Sequence, residues 1–165
     1  MAQVGSLVAR TLGGIFRAES GISFAVGLVA AQEGLTPDAL PVAKVVERNI
    51  APDTLEKQIG AQYPSMHIYC EGLKNTLREK FTTFSGTARM AIDVRVTGDH
   101  VDKLEDQIRL YVDAATQVLD LNRGDWGSGM FYTGGYEVAF SSVKAGGRNY
   151  LQTAKIAFEV QVSVN

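Results

Sequence analysis

The sequence predicts an α+β fold with a mainly antiparallel four-stranded sheet and helices packed on one face of that sheet. Apolar and polar residues alternate in four segments, and apolar residues recur with a helical period in the segment between the two strand pairs. This order of helices, two strands, a helix and two strands is typical of a layered α+β domain. The 165 residues are 45% hydrophobic and 21% charged, which predicts a single globular domain over residues 1–165.

The N-terminal segment is predicted to be helical but weakly so. Gly13 and Gly14 each destabilise a helix by about 1 kcal/mol. We therefore expect residues 1–20 to form a mobile helical arm that becomes ordered against a partner. Ser20 is the expected N-cap of the next helix, an apolar one that stops at Gly34.

The middle of the chain leads into the predicted sheet. Residues 35–41 form a turn-rich linker, and a short helix is predicted to start at Pro52, where proline suits the first turn, and to end at Gly60. The sheet and helix core is expected over residues 63–165. Its first strand is predicted at residues 66–73, where the alternation is weak.

The remaining elements have clearer signals. Alternation predicts strands at residues 87–97, 136–144 and 154–164, with the even-numbered residues of the last strand on the buried face. Asp99 is the expected N-cap of a long amphipathic helix. Residues 122–135 are predicted to be a glycine-rich loop that follows this helix.

Charge and cysteine content exclude several classes of protein. Sixteen basic and 18 acidic residues give a net charge of −2, so the chain lacks an overall basic field for nucleic acid. The single cysteine, Cys70, excludes an intrachain disulfide and fits a reducing compartment. The longest apolar run, residues 22–31, is shorter than the roughly 20 residues that cross a bilayer. The sequence predicts neither a membrane span nor a signal peptide.

No catalytic or metal-binding pattern is present. His67 and His100 stand alone, without the second histidine or paired cysteines of a metal site. Ser85, His100 and Asp99 are poor candidates for a catalytic triad because the last two are sequence neighbours at a strand-to-helix turn. We therefore expect no enzyme activity and no cofactor.

Charged residues on the polar face of the second predicted strand have two interpretations. Arg89, Asp93 and Arg95 could pair with Glu159 or Lys155 across the sheet, which is the interpretation we favour. Alternatively, this face, which carries charges of both signs, packs against a neighbouring copy of the chain.

Two glycine-rich turns supply the candidate subunit or partner interface. Trp126 lies among glycines, and it is either packed on the end of the sheet or presented to a partner, since tryptophan and tyrosine are common at interface hot spots. The second turn is the hairpin before the last strand. The candidate interface residues are Trp126, Met130, Phe131, Tyr132, Gly146, Gly147 and Arg148.

Three segments carry a resemblance to a known family. They read YPSMHIYCEGLKN, then FSGTARMAIDVRVTGDHVDKLEDQIRLYVDAATQVL, and finally GGYEVAFSSVKAGGRNYLQTAKIAFEVQVSV. In this order and with these lengths, residues 63–165 resemble the tail-terminator and tail-completion (neck) proteins of long-tailed bacteriophages. In that family a strand leads into one long helix, and the chain closes on a hairpin that ends in an alternating strand.

The resemblance implies a structural virion protein. Such proteins form a ring, typically of six subunits, that caps the tail tube and joins it to the head connector. The implied partners are further copies of the chain, the tail tube protein and a head-completion or connector protein, while DNA passes through the lumen without specific binding. The implied location is the tail or neck of the virion, after assembly in the host cytoplasm.

Two alternatives remain open. The chain could be another neck or head-completion protein of the phage connector. It could also be a small-ligand-binding α+β domain, for which Tyr69, Tyr132 and Tyr136 are the candidate pocket residues.

Overall fold

The computed structural model describes residues 2–56, 61–77, 80–146 and 148–165. The α-helices in these ranges are α1 (Ala2–Arg17), α2 (Ile22–Gln32), α3 (Pro52–Glu56) and α4 (Val101–Leu121), with a short 3₁₀ helix at Pro37–Ala39. The strands are β1 (Lys44–Val46), β2 (Ser65–Asn75), β3 (Phe84–Gly98), β4 (Gly124–Gly127), β5 (Met130–Tyr132), β6 (Glu137–Phe140), β7 (Lys144–Gly146) and β8 (Asn149–Val164).

The fold is α+β, as predicted, but the sheet is larger than expected. Its main path runs β1-β2-β3-β8-β5-β4, and β6 and β7 also pair with β8. The pairing of β1 with β2 is parallel, so the sheet is mixed. The prediction of four antiparallel strands was wrong for three physical reasons: β1 lacks an alternating pattern, the glycine-rich loop contains the hairpin β4–β5, and the predicted third strand is divided into β6 and β7.

The two longest strands, β3 and β8, form the centre of the sheet. Their antiparallel register runs from Phe84 opposite Val164 to Gly98 opposite Tyr150. The β2–β3 turn lies at the first of these ends, and the β7–β8 turn lies at the second. We call them the β2–β3 end and the β7–β8 end of the sheet.

Helices α1, α2 and α4 share one core with a single face of the sheet, whereas Leu55 of α3 lies beside Ser65 and His67 on the opposite face. Alternate residues of β3, from Ala88 to Val96, are 0% exposed and belong to the same buried cluster as the apolar residues of α1, α2 and α4. In β8 the even-numbered residues Ile156, Phe158 and Val160 join that cluster, which confirms the predicted buried face of the last strand. The opposite face of the sheet carries the polar residues.

Helix α1 belongs to this core and is not an arm. Leu12 and Phe16 are 0% exposed, and α1 packs on β2. Gly13 leaves room beside the helix for Glu47, which accepts a hydrogen bond from Arg17 Nη1 at 2.5 Å. The expectation of a mobile arm failed because Gly13 weakens the isolated helix yet permits this close approach in the folded chain.

Two predicted helix caps are absent. The residue before α2 is Gly21, and it makes no side-chain cap hydrogen bond, so the prediction of Ser20 as N-cap was wrong. The residue before α4 is His100, also without a side-chain cap bond, so Asp99 is not the N-cap either. Tertiary packing stabilises both helices instead, since each buries several apolar side chains in the core.

The linker is tied to the core by a buried tyrosine. Tyr111 of α4 donates a hydrogen bond to the carbonyl of Pro41, and burial raises the pKa of this tyrosine to about 12. The predicted stop at Gly34, which has a φ of +67°, and the predicted helix start at Pro52 are confirmed. The predicted helix end at Gly60 lies outside the described residues.

Within the described part of the chain, no single helix is long and apolar enough to cross a membrane. The bent pair Gln3–Arg17 and Ile22–Gln32 meets that test jointly, by length and composition only.

Candidate functional site

The polar side of the sheet carries a set of linked charges that we call the polar sheet face. It consists of Tyr69 and Glu71 on β2, Arg89 and Asp93 on β3, and Lys155 on β8. Asp93 lies directly opposite Lys155 in the β3–β8 register. Charges do pair across these strands, but among the described residues none of the predicted ion pairs with Glu159 or Lys155 is present.

Glu71 connects the three strands. The β2–β3 register shifts between Cys70 and Gly72, so Glu71 is the extra residue of a β-bulge, a feature that redirects side chains. Its carboxylate forms ion pairs with Arg89, whose Nε lies 3.4 Å away, and with Lys155. Glu71 is therefore the carboxylate partner that was predicted to be Glu159. This partner could not be predicted, because a one-residue bulge leaves no trace in the alternation of apolar and polar residues.

Asp93 organises the other half of this face. Both of its carboxylate oxygens lie 3.3 Å from the hydroxyl of Tyr69, and Oδ2 accepts from Arg95 Nη2 at 3.3 Å. Burial, and then the negative charge of Asp93, raise the pKa of Tyr69 to about 12. The hydroxyl stays protonated at neutral pH and serves as a hydrogen-bond donor, so it is not poised as a base or nucleophile.

The first candidate interface turn is the β4–β5 hairpin, and most of its aromatic residues point inward. Met130 and Tyr132 are 2% and 0% exposed, so these two are core residues and not interface residues. Trp126 is half-buried, its ring centre is 5.5 Å from that of Tyr132, and its Nε1 donates to the carbonyl of Asn122 at 2.7 Å. Phe131 points to the other side and is 45% exposed.

The second candidate turn lies at the opposite end of the sheet. Gly146 pairs with Asn149 at the β7–β8 end, whereas Met130 pairs with Val162 near the β2–β3 end. At about 3.3 Å per residue, these two positions of β8 are about 40 Å apart along the strand. Arg148 is exposed in this second turn, and Gly147 lies outside the described residues. The structure therefore separates the predicted interface residues into two groups.

The β2–β3 end of the sheet carries an exposed apolar tip that was not predicted from the sequence. Leu77 and Phe81, in the turn between β2 and β3, are 60% and 97% exposed. Both have positive φ values, 45° and 70°, which are uncommon for residues other than glycine. Two large apolar side chains held outward in this way are candidates for contact with another chain. The sequence did contain a signal for this tip: Leu77 and Phe81 are the two apolar residues in a turn that is otherwise polar.

The three tyrosines proposed for a ligand pocket do not come together. Tyr69 lines a cavity of about 450 Å³ beside α1, and Tyr136 lines a separate groove of about 410 Å³ between β5 and β6. The hydroxyl of Tyr132 donates to the carbonyl of Gly135 at 3.1 Å. Among the described residues, no group of three His, Cys, Asp or Glu side chains is arranged to hold a metal ion.

No protein-family model matches this chain, and no curated protein matches it.

Proposed function

We propose that this protein is a structural virion protein, a tail terminator of a long-tailed bacteriophage. In this proposal it forms a ring, typically of six copies, that caps the tail tube and joins it to the head connector. The observation that carries the proposal is the presence of different exposed apolar groups at the two ends of one sheet. Leu77, Phe81 and Phe131 lie at the β2–β3 end, and Tyr150, which is 41% exposed, lies at the β7–β8 end.

Two different exposed apolar surfaces, one at each end of the sheet, suit a ring of identical subunits. A closed ring with head-to-tail contacts needs one surface of each copy to meet a different surface of the next. Large exposed apolar side chains are the usual anchors of such contacts. The charged residues of the polar sheet face bind one another within the subunit, which leaves the turns at the sheet ends as the better contact candidates.

The exposed side of α4 supports a role beside passing DNA. Acidic residues outnumber basic ones there, and a negative surface repels the phosphate backbone. The exposed acidic residues of α4 are Asp102, Glu105, Asp106, Asp113 and Asp120, and the exposed basic ones are Lys103 and Arg109. DNA could pass such a wall without adhering to it.

The test is imaging of phage particles assembled with and without this chain. Without it, we expect tails of irregular length or tails that fail to join heads. The variant Phe81→Ser should reproduce this defect with little change in the free energy of unfolding, because Phe81 is 97% exposed. Val42→Ser is the matched control, since Val42 is 67% exposed but lies outside both groups of apolar residues.

Two results would contradict the proposal. Tails of uniform length that attach normally in the absence of the chain would show that it does not terminate tails. Labelled copies that localise away from the head-tail junction would show that its place in the particle, if any, is a different one.

A further inference from the structure

Three buried polar residues near β1 have side-chain atoms without hydrogen-bond partners. Ser65 and Arg95 lie opposite each other in the β2–β3 register, and His67 lies two residues further along β2 on the same face. They are 2%, 1% and 3% exposed, in that order. Within the described ranges, Ser65 Oγ, His67 Nδ1, and Arg95 Nε and Nη1 have no hydrogen-bond partner. Buried polar groups are normally paired, so a cluster of unpaired ones points to an absent partner.

These residues lie beside a cavity of about 170 Å³, which we call the β1 cavity. Ser65 and His67 form part of its wall, and β1 and the residues after it form another part. Lys44, Val46 and Arg48 are spaced by two positions and all line the cavity, as expected for one side of an extended segment. Lys44 and Arg48 are exposed, so two cations stand at its rim.

The charge around the β1 cavity is predominantly positive. Arg95 Nη2 donates to the carbonyl of Ile50 at 2.6 Å and to Asp93 Oδ2 at 3.3 Å. Ile50 lines the cavity and Arg95 does not, so the guanidinium lies next to the cavity wall and contributes its positive charge from there. Burial, and then the positive charges of Arg95 and Lys44, lower the pKa of His67 to about 4. Asp93 is the one carboxylate in contact with Arg95 among the described residues.

We propose that the β1 cavity binds a small free oxyanion of the phosphate class. The hydroxyl of Ser65 can donate to its oxygens, and the buried positive charge of Arg95, opposite Ser65 in the sheet, favours an anion there. Lys44 and Arg48 attract the anion at the rim. A hydrogen bond with the Arg48 backbone favours the proton on the other nitrogen of His67. Nδ1 of the neutral ring can then accept from the hydroxyl of a protonated phosphate.

This site differs from a surface cluster of lysines because its inner polar groups are buried. Water can satisfy exposed charges, but a guanidinium that is 1% exposed depends on specific partners. The cavity volume exceeds the roughly 30 Å³ that one water occupies in the liquid, which leaves room for a tetrahedral anion. Anion binding in the β1 cavity does not require that the protein be a tail terminator.

Calorimetric titration of the full chain with inorganic phosphate, at constant ionic strength maintained with chloride, tests the proposal. We expect saturable binding of phosphate. The double variant Lys44→Ala/Arg48→Ala should weaken it by about tenfold or more, because the two positive charges that attract the anion at the rim are lost. Both residues are exposed, so the variant should fold, and an unchanged urea midpoint verifies this. Lys103→Ala on α4 is the control and should leave binding unchanged.

A second measurement follows His67 directly. The imidazole signals of His67 should move on addition of phosphate, while those of the exposed His100 should not. The proposal is overturned by an absence of saturable binding, by equal weakening in the Lys103 control, or by unmoved His67 signals. Acetate is titrated in the same way. If it binds as tightly as phosphate, the site has no preference for the phosphate class, and the assignment is overturned.

Discussion

Replacement of Phe158 by alanine tests the placement of β8 in the sheet. Phe158 is 4% exposed, lies opposite Met90 in the β3–β8 register, and its ring centre is 5.3 Å from that of Tyr132 in an edge-on arrangement. Loss of a buried phenylalanine side chain costs about 3–5 kcal/mol. Loss of the aromatic pair accounts for about 0.5–1.5 kcal/mol of that total.

The surroundings of Phe158 favour the lower part of that range. Phe158 also lines the groove between β5 and β6, so the site left by its removal can be reached by water or filled by local movement. We therefore expect Phe158→Ala to lower the free energy of unfolding by about 3 kcal/mol. The neighbouring substitution Glu159→Ala, on an exposed residue of the same strand, should cost less than about 1 kcal/mol.

Urea denaturation of the two variants and the parent chain provides the measurement. Fitting all three with a common dependence on urea gives the difference in unfolding free energy from the shift in midpoint. Equal losses for the two variants would refute the assignment of faces in β8. A loss below about 1 kcal/mol for Phe158→Ala would refute the claim that its ring is part of the core.

Three further substitutions test the polar groups. Glu71→Gln should lower stability by roughly 0.2–1 kcal/mol per ion pair lost, and denaturation at high salt should shrink the difference from the parent. Trp126→Phe keeps the contact with Tyr132 but loses the hydrogen bond of Nε1, at a cost of about 0.5–1.5 kcal/mol, whereas a larger loss of subunit association than of stability would make Trp126 an interface residue. Because the folded-state pKa of His67 is lowered from 6.5 to about 4, protonation favours the unfolded chain, so stability should fall as pH decreases from about 6.5 to about 4. His67→Asn should reduce this slope in denaturation at several pH values, and an unchanged slope would contradict the buried, neutral ring.

The strongly periodic segments were predictable because burial alone determines their pattern. The alternation in β3 and β8 and the helical period of α4 follow directly from which side chains face the core. The parallel strand β1 was not predictable, because its three residues pair with β2 through backbone bonds and leave no alternation to detect. Long elements bury enough residues to produce a recognisable periodic pattern in the sequence. Short elements are too brief for such a pattern, and their conformation is determined by the strands they pair with.

The candidate site was predictable only in part. Charges on β3 were recognised, but their shared partner Glu71 depends on a bulge that shifts the register. Met130 and Tyr132 were assigned to an interface because the surrounding glycines suggested a loop, and the β4–β5 hairpin instead turns them into the core. The buried unpaired atoms of Ser65, His67 and Arg95 appear only when strands distant in sequence are brought together.

The central position of β8 determines when the nascent chain can complete its fold. Among the described strands, β8 leaves the ribosome last, yet β3, β5, β6 and β7 all pair with it. Until then one edge of β3 has no partner, and its apolar side chains are covered only by helices made before and soon after it. Closing this long-range pair is entropically costly and slow compared with local helix formation. Newly made chains therefore pass through a stage that exposes an open strand edge to chaperones or to other nascent copies.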